Sequence, residues 1–248
     1  MPAQTDQAIV VRVSDFSETS QVCSLLTREF GLVRLIAKGL RRSTRVRFAV
    51  GVDLLERGTA SFVRARGAGL STLTEWVQAS ASARLRAALP RLYAGLYAAE
   101  LVPYVMEEFD PHPTAFDALV VLLDALESDA SLAPAVARFQ AALLRAIGLA
   151  PNFRSCADCG RARGRLAHGY FSATAGGWLC MTCAPRHAEK MRLPRTLQAA
   201  DLASASAEDW FDVLDYHLAH IAGRRAQTRE ALRRMLTVGR AHAAPRRG

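Results

Sequence analysis

Four cysteines in the second half of the chain have the spacing of a metal site. Cys156 and Cys159 form one C-x2-C pair, and Cys180 and Cys183 form a second pair after an insert of 20 residues. A two-residue gap lets both thiolates of a pair point at one ion, and four thiolates complete a tetrahedral Zn²⁺ site with no open position for water. The spacing therefore predicts one structural zinc ion held by these four cysteines.

Other interpretations of the cysteines are less well supported. Four reduced cysteines with a degenerate metal site are the simplest alternative, and a thioredoxin-type redox pair would need a βαβ unit that the sequence does not indicate. A zinc deaminase would need H-x-E and P-C-x-x-C elements. Here Ser155 and Leu179, rather than proline, precede the two pairs, so the P-C-x-x-C element is absent from the sequence. The fifth cysteine, Cys23, lies on an apolar segment and is expected to be a buried thiol in a reduced protein.

The elements that position these residues follow from the turn pattern. Residues 168–179 predict a β-hairpin, with its turn at Gly176 and Gly177, that brings the second cysteine pair back to the first. Short segments rich in β-branched residues predict five or six strands near the N-terminus, which would form a small closed or nearly closed barrel. These segments are 7–13, 21–29, 32–39, 46–58, 59–67 and 70–76.

From residue 81 the apolar spacing changes to a helical period. Helices are expected around 85–102, from 114 to 126, from Ser131 to Ile147, after a capping box at Ser206, and at 225–239. His217 and His220 lie three residues apart on one of these helices, which favours a core-and-surface pair over a metal site.

Charge is distributed unevenly along the chain. The 248 residues contain 32 Lys and Arg against 23 Asp and Glu, a formal net charge of +9. The balance is +4 over residues 1–80, −3 over 81–150 and +8 over 151–248. Nearly all of the cations are Arg, so part of the excess reflects composition. The basic ends nevertheless indicate surfaces that face a polyanion.

The densest basic group surrounds Gly39, and no acidic residue interrupts positions 30–52. Arg side chains in such a group can bond phosphate oxygens bidentately, although a run of charge can also be a solvated face. Phe30, Phe48 and Phe62 are expected in the core rather than as stacking platforms. We therefore predict DNA binding mainly through the backbone, without sequence preference, by the following residues: Arg34, Lys38, Arg41, Arg42, Arg45, Arg47, Arg64 and Arg66.

A second set of basic residues lies near the cysteines and on the last helix. These side chains could contact DNA, bind an acidic tail of a partner protein, or keep a small domain soluble. The candidates are Arg161, Arg163, Arg165, Arg224, Arg225 and Arg229.

No pattern for enzymatic chemistry is found in the sequence. It has no G-x-x-x-x-G-K-[ST] phosphate loop, and its six histidines are scattered, so no catalytic residues and no enzymatic activity are expected. The sequence contains no run of about 18 uncharged apolar residues, so no transmembrane helix is predicted. The N-terminus lacks the pattern of a signal peptide. We expect a cytoplasmic protein with no membrane contact.

Three segments carry a resemblance to a known family. These are the E-x-S…L-x-T-x-E-x-G-L run at Glu18–Leu32, the AKG-x-RR loop at Ala37–Arg42, and the LL-x-x-x-G-x-x-P-x-x-x-x-C-x-x-C-G junction at Leu143–Gly160. Together they resemble the bacterial RecO proteins, recombination mediators of the RecF pathway, over essentially the whole chain. Many family members lack the cysteines, so this chain resembles a zinc-carrying member.

The resemblance implies an α+β multidomain protein: an N-terminal OB-fold β-barrel, a helical domain and an inserted zinc-finger-like module with four cysteine ligands. The expected domains are 1–79 (OB-fold), 80–152 and 193–240 (helical domain), and 153–192 (zinc module), with a frayed tail at 241–248.

The resemblance also implies partners and activities. These are binding to single- and double-stranded DNA, annealing of complementary strands, and nucleoid association. With RecR, such proteins help RecA displace single-strand-binding protein, whose acidic C-terminal tail docks on the helical domain. An alternative from another class is a zinc-stapled scaffold that recruits acidic protein tails and binds DNA only incidentally.

Overall fold

The computed structural model describes residues 2–18, 20–38, 52–67, 69–80, 82–164, 168–198 and 205–243. The chain divides into two compact units, Met1–Asp129 and Ala130–Gly248. The first three helices therefore belong with the barrel, and the fourth belongs with the cysteine module. The division expected from the sequence, into a barrel, two parts of a helical domain and a zinc module, stays a prediction.

Five strands of the first unit form a closed barrel in the order β1-β2-β3-β5-β4. All neighbours are antiparallel except β3 and β5. Alternate residues point inward, so side chains such as Leu25, Leu35 and Phe62 fill the interior. This confirms the α+β class and the OB-like barrel. The strands are β1 (Gln4–Asp15), β2 (Gln21–Thr27), β3 (Gly31–Ala37), β4 (Arg57–Val63) and β5 (Ser71–Ser80).

The first half of β3 does not pair with β5, and a segment that follows the second helix fills the gap. Leu32 forms a parallel bridge with Glu108, and the Phe109 N–H donates to the Leu32 carbonyl at 2.9 Å. Gly31 has a φ of +70°, and a Cβ there would lie 2.1 Å from the Asp110 carbonyl oxygen. Only glycine permits this close approach, so the seam of the barrel depends on residues far along the chain.

Helices cover one side of the barrel. The Glu127 carboxylate, at the end of α3, accepts hydrogen bonds from the backbone N–H groups of Arg84 and Leu85 and thereby caps α1. Arg28 on the β2–β3 turn donates two hydrogen bonds to Asp117 of α3, at 3.0 and 3.2 Å. These contacts fix the helices to the strands. The helices are α1 (Ala83–Ala87), α2 (Leu89–Val105) and α3 (Pro113–Glu127).

The second unit packs helices around a small three-stranded sheet of order β7-β6-β8. Helices α4 and α5 pack together, and Gln140 donates to the Phe211 carbonyl at 3.3 Å. The elements are α4 (Leu132–Ala146), β6 (Gly169–Ser172), β7 (Gly177–Cys180), β8 (Met191–Arg192), α5 (Ala207–Ala222) and α6 (Arg229–Ala243).

Several local predictions are confirmed, and two are wrong. The Ser206 hydroxyl accepts from the Asp209 N–H and so caps α5, although the Ser206 N–H donates to the Thr196 hydroxyl at 3.4 Å instead of to Asp209 as a full capping box requires. Buried His217 belongs to the core. Ser131 precedes α4 but makes no side-chain cap. The described part of the strand expected at 46–58 is a turn through Leu55, whose φ is +68°, and β4 begins only at Arg57.

No helix in the described ranges is both long enough and apolar enough to cross a membrane.

Candidate functional site

The first cysteine pair sits in a tight backbone knuckle ahead of β6. The Gly160 N–H donates to the Cys156 carbonyl at 2.9 Å, and Gly160 adopts a φ of +72°. The Cys156 N–H donates to the Arg161 carbonyl at 2.8 Å, which closes the turn. The glycine after the first pair therefore serves the left-handed turn, as its position in the sequence indicated.

The predicted hairpin is confirmed and brings the second pair beside the first. Strand β6 pairs with β7 from Gly169 opposite Cys180 to Ser172 opposite Gly177. The N–H of Ala157, inside the first knuckle, donates to the carbonyl of Trp178 at 2.8 Å. This backbone bond ties the first knuckle to the strand that carries Cys180.

The four sulfur atoms gather into one cluster. All of them lie within 4.8 Å of one another, and the sulfurs of Cys159 and Cys180 are 4.0 Å apart. Zn–S bonds of about 2.3 Å in a tetrahedron imply sulfur separations of about 3.8 Å. Three of the cysteines are buried and Cys159 is exposed. Cys23 lies apart in the barrel core, where burial raises the pKa of its thiol to about 12.

Electrostatics at the cluster favours a bound cation. Burial disfavours the charged form of Cys156, but backbone N–H groups of Cys159, Cys180 and Asp158 bond its sulfur and bring its pKa down to about 6. Burial and the neighbouring sulfurs raise the pKa of Cys183 well above its usual range. Four sulfurs this close ionise together only beside a cation, and an all-thiolate donor set suits Zn²⁺.

An ionic contact joins the two knuckles outside the sulfur cluster. His187 Nε2 lies 3.1 Å from an Asp158 carboxylate oxygen, and this contact is the main cause of the lowered pKa of Asp158. Arg186 lies 3.7 Å from the same oxygen and donates to the Cys183 sulfur at 3.7 Å. The segment after the second knuckle is thus fixed to the first.

Glu189 anchors the same segment to the hairpin and to α5. Its carboxylate accepts hydrogen bonds from the Ser172 hydroxyl at 2.8 Å, from the backbone N–H groups of Ala173 and Thr174, and from the Tyr216 hydroxyl. Burial opposes ionisation of Glu189, but these donors outweigh it and lower its pKa to about 2.

The predicted DNA-binding residues lie partly inside and partly outside the described ranges. Arg41, Arg42, Arg45 and Arg47 lie outside the described residues. Arg34, Lys38, Arg64 and Arg66 are all exposed. Strands β3 and β5 pair in parallel from Leu35 opposite Ser71 to Ala37 opposite Leu73, so Lys38 follows this short ladder and the β4–β5 loop precedes it.

The described cations around this ladder differ in their contacts. Arg34 lies 3.6 Å from Glu108, and both side chains are about half exposed, so the pair contributes little to stability. The Arg64 guanidinium stacks on Phe109, 3.9 Å from the ring centroid. Within the described ranges, Lys38 and Arg66 have no acidic partner. Phe62 is buried and Phe30 packs against the barrel core, as predicted, and Phe48 lies outside the described residues.

The second set of basic residues is less uniform than predicted. Arg161, Arg224 and Arg225 are exposed, and Arg165 lies outside the described residues. The Arg163 guanidinium donates to the Leu197 carbonyl, and burial lowers its pKa. Arg229 pairs with Asp212 and with Asp215, whose exposed fraction is 3%. These contacts favour structural roles for Arg163 and Arg229 over contacts with DNA or a partner.

An apolar groove between α4 and α5 was not found from the sequence. Its volume is about 720 Å³, and Ala137, Ala141, Phe153 and Trp210 are among the residues that line it. Arg138 and Arg145 stand exposed on its rim, seven residues apart on one face of α4. The spacing of Arg138 and Arg145 can be read from the sequence, but the aromatic residues of the floor, Phe153 and Trp210, come from segments distant from α4 in the sequence. The groove therefore required the tertiary structure.

Two family models cover most of the chain. Residues 1–81 match the model described as Recombination protein O N terminal, and residues 86–207 match the model described as Recombination protein O C terminal. The boundary between the two models falls near the end of β5.

Individual relatives agree with the family models. A DNA repair protein RecO from Anaeromyxobacter sp. (strain K) is 34% identical over 268 residues, which covers 96% of this chain and 92% of the relative. One from Rhodopirellula baltica is 33% identical over 185 residues, 74% of this chain and 68% of that relative. One from Myxococcus xanthus is 30% identical and covers 79% of both chains.

Proposed function

Because the chain belongs to the RecO family of DNA repair proteins, we propose that it is a recombination mediator. It binds single- and double-stranded DNA through the phosphates and anneals complementary strands. With RecR, it helps RecA to replace single-strand-binding protein on DNA in the nucleoid. It catalyses no bond-breaking step of its own.

The observation that carries this proposal is the set of exposed cations around the β3–β5 ladder. Lys38 follows the last residue of β3, and Arg64 and Arg66 lie in the loop that enters β5, so these cations flank a ladder of three residue pairs in a closed five-stranded barrel. Barrels of this kind bind nucleic acid with their loops and with the face of the second and third strands. The basic segment around Gly39 follows Lys38 directly in the sequence and would add to the same charge.

Annealing follows from phosphate neutralisation. Two complementary strands repel each other through their phosphates, and a surface that neutralises both lowers this repulsion. The bases stay free to pair because the contacts go to the backbone. The process needs no general acid, base or nucleophile.

The groove between α4 and α5 supports a contact with the acidic tail of single-strand-binding protein. The apolar floor around Trp210 suits the side chains of an extended peptide end, and Arg138 and Arg145 suit its carboxylates. The same contact would serve the alternative function, a scaffold for acidic tails, so the groove alone does not separate the two functions.

We propose zinc as the metal of the four-cysteine cluster, and a structural role for it. All four donors are cysteine sulfurs, so a tetrahedral ion has no position left for a substrate. Its contribution would be to hold the knuckles and the hairpin together.

The test is annealing of two complementary oligonucleotides, bare and coated with single-strand-binding protein, over a range of salt concentrations. In the double variant Lys38→Gln with Arg66→Gln, affinity for single strands should fall. The slope of log affinity against log salt should flatten by about 1.4, or about 0.7 for each phosphate that is no longer neutralised. Arg84→Gln is the matched control, since Arg84 is 64% exposed on α1, on the helical side of the unit.

The outcomes separate the two functions. An unchanged salt slope in the double variant would exclude Lys38 and Arg66 from the DNA surface. A slope change of about 0.7 in Arg84→Gln, which removes one charge rather than two, would mean that only net charge matters. Tail binding without annealing of bare strands would favour the scaffold.

A further inference from the structure

The outer face of strands β1 to β3 is covered at one end and open at the other. Ile9, Val11 and Leu26 are buried on the side where helices α2 and α3 pack. Towards the β1–β2 turn, the outward positions instead carry exposed or half-buried side chains. These are Arg12, Ser14 and Phe16 from the first strand and its turn, Val22 from β2, and Arg34, Ile36 and Lys38 from β3 and its end.

Phe16 is the most exposed large apolar side chain in the described ranges, with 65% of its surface accessible. It continues the outward alternation one residue beyond the end of β1. Its backbone is fixed: the Phe16 N–H donates to the Ser20 carbonyl at 3.0 Å, and the Ser17 N–H donates to the same oxygen at 3.1 Å. An anchored turn therefore presents an aromatic ring to solvent, where it loses the free energy that burial would supply.

Three cations lie along the same face as this ring. Arg12 of β1 and Arg34 of β3 are the two register partners of Ser24 of β2, so both project from the outer face on either side of it. Lys38 extends the face beyond β3. The described part of the chain offers Arg12 no acidic partner, and it was not among the residues predicted from the sequence.

Acidic groups near this face are few and exposed. Asp15 accepts a hydrogen bond from Gln21 at 3.3 Å, Glu18 lies in the turn, and Glu108 is the partner of Arg34. Exposed carboxylates such as these are screened by salt and weakly held. The face therefore combines an unpacked aromatic ring with three cations, of which only Arg34 pairs with an acidic side chain within the described ranges.

We propose that Phe16 stacks on an unpaired base of single-stranded DNA while Arg12, Arg34 and Lys38 hold the neighbouring phosphates. The inference rests on the proposed DNA-binding function and adds selectivity to it. A ring on a turn reaches the face of an exposed base, whereas the bases of a duplex are stacked on one another. Phe16 would therefore favour single strands over duplexes, and the barrel would bind by more than its charge.

The spacing of the residues suits such a strand. Arg12 and Phe16 are four residues apart, about 13 Å along a β-strand. Stacked nucleotides advance about 3.4 Å each, and extended ones advance roughly twice as far, so two to four nucleotides span the distance. Stacking on an aromatic side chain is tolerant of base identity, which fits a protein that anneals any sequence.

The experiment compares binding of oligo(dT), of an abasic strand of the same length, and of a duplex to the full-length protein. Phe16→Ala should weaken oligo(dT) binding by about five- to 150-fold, the equivalent of one lost base stack. Binding of the abasic strand and of the duplex should stay as in the wild type, and the salt slope should not change. Phe16→Trp should restore oligo(dT) binding.

Val121→Ala is the matched control, because Val121 is a 64% exposed apolar residue on α3. It should leave all three affinities unchanged. Equal melting temperatures of the Phe16 variants and the wild type would show that the turn is intact, as expected for an exposed side chain.

Several outcomes would overturn the inference. If Phe16→Ala binds oligo(dT) normally while the Lys38 and Arg66 variant does not, stacking is wrong and the proposed DNA surface stands. Equal losses on oligo(dT) and on the abasic strand would show an effect on phosphate contacts. Weakened RecR binding with unchanged DNA binding would assign Phe16 to a protein interface. If the wild type binds no DNA, the proposed function itself fails.

Discussion

Glu189 shows how one carboxylate can secure a metal module without touching the metal. It joins the hairpin, through Ser172 and the Ala173 and Thr174 amides, to the Tyr216 hydroxyl on α5. The pKa of Glu189 is lowered to about 2. Burial and the hydrogen bond to Glu189 raise the pKa of Tyr216 to about 12. The charged carboxylate and the neutral phenol therefore stabilise the folded unit together.

Replacing Glu189 by Gln should destabilise the second unit by about 1–2 kcal/mol near neutral pH. This loss of stability lies at the lower end of what charge-assisted hydrogen bonds usually contribute, because the Glu189 carboxylate is partly exposed. A lowered carboxyl pKa stabilises the fold above the unfolded value of 4.5, and this contribution is lost as pH falls towards 2. The difference in melting temperature between wild type and variant should be constant from pH 7 to about 4.5 and should narrow below that.

Phe171→Leu is the control for this titration, since Phe171 is buried in the same module and carries no charge. The difference in melting temperature between Phe171→Leu and the wild type should stay constant across the same pH range. If the difference in melting temperature between wild type and Glu189→Gln stays constant down to about pH 3, the assigned role of the carboxylate is contradicted.

Residues differ in how far the sequence alone can predict their roles. The four cysteines were predicted because their ligand chemistry is local to two short motifs joined by a hairpin. Glu189 was not, because its donors come from a turn 15 to 17 positions earlier and a helix 27 positions later. Phe16 was missed because only the structure shows that the ring is unpacked.

Among the elements, the knuckles and hairpin of the second unit form a structure that the metal would complete. Zinc binding in such sites contributes directly to the free energy of folding, on the order of 10–16 kcal/mol for the metal in finger peptides. The small sheet around β6 has only three strands, and under the proposed zinc site it would depend on this contribution.

Cys180→Ser, or removal of the metal by a chelator, should therefore unfold the cysteine module at lower temperature and leave the barrel unit folded. Metal analysis of the wild type, purified without added zinc, should find about one zinc per chain, since four sulfurs form one site. Because Trp76 lies in the barrel, tryptophan fluorescence would report the second unit in a Trp76→Phe background, which keeps Trp178 and Trp210. Oligonucleotide binding would report the barrel.

Cys23→Ala is the matched control, because Cys23 is a buried core thiol outside the cluster. It should keep the full metal content. Less than about half an equivalent of metal in the wild type, or unchanged melting of Cys180→Ser, would be incompatible with a tight structural site.

Element prediction succeeded where a residue pattern is local and failed where a distant contact decides. The hairpin, the Ser206 cap and the left-handed turn at Gly148 after α4 are local features. The segment expected as a strand at 46–58 has alternating apolar residues, yet its described end turns at Leu55, where the backbone is left-handed. The Leu55 N–H donates to the Val10 carbonyl, a contact outside any sequence window.

At the scale of the whole molecule, the +9 charge serves two kinds of acidic partner in the proposed function. The barrel unit offers cations to phosphates, and the second unit offers a groove with Arg138 and Arg145 to carboxylates. Arg138→Glu with Arg145→Glu should weaken binding of a tail peptide from single-strand-binding protein by about tenfold or more. Annealing of bare oligonucleotides should be unaffected, whereas annealing of coated strands should slow.

Arg195→Glu gives a comparison within the same unit, since Arg195 is exposed outside the groove. It should leave peptide affinity near the wild-type value. If this variant weakens peptide binding as much as the groove variants do, the tail is attracted by overall charge and the groove is not its site.

The seam between β3 and the Glu108–Asp110 segment has a consequence for synthesis on the ribosome. Every strand of the barrel has been translated by Ser80, yet the residues that bond to Leu32 follow about 30 positions later. At bacterial elongation rates this delay lasts roughly 2 to 6 s. During that time the nascent barrel exposes a free strand edge, the kind of surface that adheres to other chains, so early chaperone contact should be most valuable in this interval.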